Sequence, residues 1–113
     1  MDRLIERGLL FDFYGELLTE HQQRIYSEAV FNDLSLAELS EAEGISRQGV
    51  HDLIKRCDKL LEGYEDKLKL VSKFQRIKAE VEILENKISD EPSLDDEVRV
   101  LLKTGLNKII EEL

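Results

Sequence analysis

Apolar residues recur along almost the whole chain at spacings of three and four, without sustained alternation. That periodicity makes the fold class all-α. A first helix is predicted from about Arg3 to Leu18. Its apolar positions, Leu4, Ile5, Leu9, Phe13, Tyr14 and Leu17, cover more than one face and place it centrally in the core. Thr19 with Gln22 three residues on forms a capping box for a second helix, which Asn32 and Asp33 break after about Phe31. Ser35 with Glu38 repeats the box for a short third helix ending at Gly44, and Ser46 caps the next.

The fourth helix is predicted to be long, with an apolar stripe from Val50 to Ile88. Gly63 weakens its middle by about 1 kcal/mol relative to alanine and marks a place for a bend or break. From Tyr64 to Ile88 the stripe resembles a coiled-coil seam flanked by Lys and Glu, irregular around Val71, Phe74 and Ile77. The segment "SDEPS" gives a turn, after which Ser93 is expected to cap a last helix carrying Leu94, Val98, Leu101, Leu102, Leu106, Ile109, Ile110 and Leu113 on one face. This organisation divides the chain into a helix-turn-helix domain, residues 1–62, and a helical dimerisation segment, residues 63–113.

Leu34 to Leu61, "LSLAELSEAEGISRQGVHDLIKRCDKLL", has the spacing of a helix-turn-helix. Counted from Leu36, Ser40 is the small residue at position five and Gly44 the turn glycine at nine. Ile45, Val50 and Leu53 are the apolar residues that lock the second helix. With Val50, Leu53, Ile54 and Cys57 inward, the outer face carries Arg47, Gln48, His51, Asp52, Lys55, Arg56 and Lys59. Arg47, Gln48 and His51 lie in the first turns, which enter the major groove in this geometry. Arginine suits guanine O6/N7 and glutamine suits adenine N6/N7. Lys55, Arg56 and Lys59 lie where phosphates are the natural partners, and the free N–H groups at Ser46 suit one more. Asp52 opposes phosphate unless it accepts from a cytosine amino group. The bland alternative is a solvated helix face that contacts nothing.

Charge sharpens this picture. The chain carries net −9, yet residues 1–45 are net −7, residues 46–88 net +2 and residues 89–113 net −4. The one segment that is not acidic therefore begins at Ser46, where a reading helix would begin.

The stretch "LTEHQQRIYSEAVFNDLSLAELSEAEGISRQGVHDLIKR" resembles region 4 of bacterial sigma factors, with Leu39-Ser40 in place of the usual Ile-Ala and no region 2. The whole chain, including the start "LIERGLLFDFYGELLTEHQ", is similar to the small bacterial YlxM-like family. That resemblance implies a sigma-like helix-turn-helix protein encoded beside the signal recognition particle GTPase Ffh or its receptor FtsY, with a regulatory or accessory role in that pathway. It makes DNA the first expected partner, and the particle's GTPase or RNA the alternative.

Other function classes receive little support. No phosphate-cradling glycine loop, nucleophile elbow or metal-binding histidine pair is present, so no enzyme, cofactor or metal is expected. No apolar run approaches the roughly 20 residues of a bilayer span, and a cytoplasmic location is expected. Cys57 reads as a small core residue, and the many carboxylates read as solvated helix surface. The Tyr64–Ile88 stripe must be covered, and a homodimer is the expected solution.

Overall fold

A computed structural model describes residues 2–113. Among them there are six helices and no strand: Arg3–Tyr14 (α1), Glu20–Val30 (α2), Leu36–Glu43 (α3), Arg47–Leu68 (α4), Leu70–Asp90 (α5) and Asp96–Glu111 (α6). A short 3-10 turn, Gly15–Leu17, follows α1 and tightens the end of the predicted first helix. None of these helices is long and apolar enough to cross a membrane.

The local signals act where the sequence puts them. Thr19 and Gln22 make both bonds of the capping box at α2, as Ser35 and Glu38 do at α3. Gly44 turns the chain in the left-handed region at φ 70°, a conformation that costs an ordinary residue more. The Ser40 hydroxyl donates to the Ile45 carbonyl across that turn, a bond that an alanine could not make. Ser46 caps α4 by accepting from the Gly49 N–H at 3.0 Å.

Two expectations are corrected. Asp95, not Ser93, caps α6, accepting from the Val98 N–H at 2.8 Å, while Ser93 bonds to Glu91. A carboxylate both accepts the bond and complements the positive end of the helix dipole, so it outcompetes a hydroxyl two residues earlier. The long helix breaks at Lys69, not at Gly63. Gly63 lies inside α4, whereas Lys69 is left-handed at φ 58°. The break is held by side chains that precede α5, one from α1 and one from α4: Tyr14 Oη accepts from the Leu70 N–H at 3.1 Å, and Glu65 Oε1 from the Val71 N–H at 2.9 Å. These are the orphan donors at the start of α5, satisfied by side chains of other elements.

The chain forms two compact units, one ending at Val71 and one spanning Ser72–Leu113. The first extends beyond the 62/63 division because α4 runs on to Leu68 and Val71 joins its core. That core has two parts. Leu10, Tyr14, Leu18, Tyr26, Val30, Cys57, Leu61 and Val71 form one, and Ile25, Leu39 and Val50 form the other beneath the helix-turn-helix. The Tyr64–Ile88 stripe is thus not one continuous seam: Tyr64 packs on the first core and Val71 is buried in it, while Ile77 and Leu84 are 36% and 45% exposed. In the second unit, Arg99 donates to the carbonyls of Ile88, Glu91 and Leu94 and so ties the end of α5 to the turn before α6.

Candidate nucleic-acid interface

Val50 and Cys57 are fully buried, and they orient α4. With that side inward, Ser46, Arg47, Gln48, His51, Lys55, Arg56 and Lys59 are all exposed along one broad face. The structure brings the later cations together: Lys55, Arg56 and Lys59 share a shallow cleft with Asp52. Ser46 spends one lone pair on its cap, so its position offers backbone N–H groups more than a free hydroxyl.

The arginines of the acidic N-terminal segment are differently placed. Arg7 makes two bonds to Asp58, and Arg3 reaches Asp58 at 3.5 Å and Glu62 at 3.2 Å. Arg24 donates through Nε and Nη2 to the two oxygens of Glu43, at 3.0 and 2.9 Å. Those bonds hold the Glu43 carboxyl below the usual carboxylate range, and His21 lies 3.7 Å from the same group. All three N-terminal arginines are thus engaged with acids of their own chain. Among the described residues, no ion pair engages Arg47, Lys55, Arg56 or Lys59. Within the unit ending at Val71, the cations that no ion pair engages lie on α4 and at Lys69.

Asp52, the discordant acid of this face, has a local role. It accepts from Gln48 Nε2 at 2.9 Å and lies 3.7 Å from His51 Nδ1. The bond engages one N–H of the exposed Gln48 amide, whose chemistry also includes a carbonyl oxygen and a second N–H, the donor–acceptor pair that an adenine edge requires. Two further features were missed at the level of sequence. Thr19, His21 and Gln22 at the start of α2 line a second cleft together with Gly49 and Arg56 of α4, a juxtaposition that no local spacing announces. Asp58 is not a solvated carboxylate: its side chain is 13% exposed and also accepts from Tyr26 Oη at 2.6 Å. A signal was present, since Asp58 follows Ile54 by four and precedes Leu61 by three, inside the apolar stripe.

The architecture matches what known proteins indicate. The family model UPF0122, "Putative helix-turn-helix protein, YlxM / p13 like", matches residues 1–101. A UPF0122 protein of Clostridium perfringens is 42% identical over 113 residues, covering 97% of this chain and 98% of its own. One from Bacillus thuringiensis is 40% identical over 103 residues, covering 91% and 94%. One from Caldanaerobacter subterraneus is 48% identical over 81 residues, covering 72% and 69%. No solved structure matches. Matched over most of its length by the family model and by these relatives, the chain belongs to the UPF0122 family of YlxM/p13-like helix-turn-helix proteins.

Proposed function

We propose that this protein reads duplex DNA through the outer face of α4, as a regulator in the signal recognition particle pathway. The observation that carries the reading is the distribution of free cations within the unit ending at Val71. The N-terminal arginines are paired internally, whereas Arg47, Lys55, Arg56 and Lys59 stand unpaired on the second helix of a helix-turn-helix. Arg47, Gln48 and His51 then face base edges, with Gln48 oriented by Asp52. Lys55, Arg56, Lys59 and the N–H groups above Ser46 face phosphates. In this reading the unit ending at Val71 recognises DNA and the C-terminal unit makes a homodimer. The protein is a cytoplasmic binding protein with no catalysis and no cofactor or metal of its own. The pathway assignment comes from the gene neighbourhood implied by the YlxM-like resemblance.

A second reading is favoured by the net −7 of residues 1–45: an accessory protein whose acidic surface meets the particle's GTPase, or which binds its RNA. Fluorescence-anisotropy titrations at two salt concentrations separate the two, with the protein's own promoter DNA, the particle's RNA and purified Ffh as ligands. The DNA reading expects tight binding to one DNA. It expects Arg47→Ala to cost about 1–3 kcal/mol at one base position, and Lys59→Ala to flatten the salt slope by roughly 0.9. Binding to Ffh or its RNA alone, indifferent to both changes, would overturn it.

A further inference from the structure

Between α5 and α6 the second unit carries an open apolar groove of about 400 Å³, lined by Leu84, Ile88, Leu101, Leu102, Leu106 and Ile109 with Gly105 among them. We propose that this groove is the homodimer interface, and that its occupant is the same groove of a second copy, with the two α6 helices antiparallel about Gly105. The inference rests on the homodimer part of the preceding reading and is independent of DNA binding.

Three observations identify the occupant. The unit from Ser72 to Leu113 has little core of its own: Val81 alone among its residues is buried, at 7% exposed, and α6 buries none. Leu101, Ile109 and Leu102 remain 70%, 52% and 41% exposed. So short a helical hairpin needs further burial, and a second hairpin laid on this groove completes a four-helix bundle.

The lining holds no charged residue. It therefore suits a partner whose own contact face is equally uncharged, which a second copy supplies by construction.

The pattern is also self-complementary. Leu101 precedes Gly105 by four residues and Ile109 follows it by four. An antiparallel pairing centred there sets Leu101 of one copy against Ile109 of the partner subunit, twice over, by the two-fold axis. Gly105 fits the centre. A Cβ built on it meets nothing within 4 Å in its own chain, so the monomer has no steric need for a residue that disfavours helix. A close helix crossing does need it.

Sedimentation velocity of the full chain tests this. The wild type is expected at twice the 13.1 kDa chain mass. Leu101→Glu and Ile109→Glu should each weaken dimerisation by at least about tenfold while leaving the helical circular dichroism intact, because both side chains already face solvent in one chain. Val100→Glu, whose valine is 63% exposed on the other side of α6, should leave the dimer unchanged. A wild type that stays monomeric at every concentration would overturn the homodimer and this surface together. A dimer that survives both groove substitutions would overturn the surface and leave the homodimer standing.

Discussion

Arg7 grips Asp58 with two parallel bonds, Nε to Oδ1 at 3.1 Å and Nη2 to Oδ2 at 2.6 Å, and so clamps α1 onto α4. Tyr26 Oη donates to the same Oδ1 from α2. One carboxylate thus joins three helices that only tertiary folding brings together, and its residue follows Cys57, a member of the first core, in the chain.

Asp58→Ala should destabilise the fold by about 2–4 kcal/mol, less than a fully buried pair because Arg7 keeps some solvent. It leaves a half-buried guanidinium and the hydroxyl of the fully buried Tyr26 without their acceptor. Arg7→Ala should cost less, since the Tyr26 bond survives. Urea unfolding at neutral pH gives both values, and equal losses would refute this division of labour.

Stability should also fall on the alkaline side. Burial, then the Asp58 charge, pushes the Cys57 thiol up from 9.0 to about 11. Burial, then hydrogen bonding to Asp58 and Glu65 respectively, raises Tyr26 and Tyr14 above 10.0. Each group is neutral in its favoured form and holds its proton longer folded than unfolded. Their contribution is therefore complete below pH 9.0 and lost progressively above it, through about 11 for Cys57. The urea midpoint should hold steady up to that limit and then decline. Cys57 should resist thiol reagents until the protein unfolds.

The corner at Lys69 offers a pair of opposite effects. Tyr14→Phe removes a hydroxyl that donates to Glu65 at 2.6 Å and accepts from the Leu70 N–H. It should cost about 1–3 kcal/mol and accelerate amide exchange at Leu70. Lys69→Gly relieves a left-handed lysine and should add about 0.5–1 kcal/mol. Unchanged exchange at Leu70 in Tyr14→Phe would mean the corner is held by packing alone.

What the sequence determined by itself is what local chemistry can decide. The caps at Thr19, Ser35 and Ser46 and the turn at Gly44 depend on residues three or four positions apart, so their signals are complete within a short window. The inward stripe through Val50 and Cys57 follows from helical period, and it fixes which residues of α4 face out. Tertiary structure alone decided the rest. At Lys69 the long helix breaks where Tyr14, far away in sequence, helps satisfy the donors beyond it; Gly63, the stronger local breaker, stays helical inside α4. Which arginines remain free for a ligand was equally undecided, since Arg7 meets Asp58 51 positions away. A charge count sees Arg7 and Arg47 as equals. Only the packing of α1 against α4 neutralises the first and leaves the second to solvent.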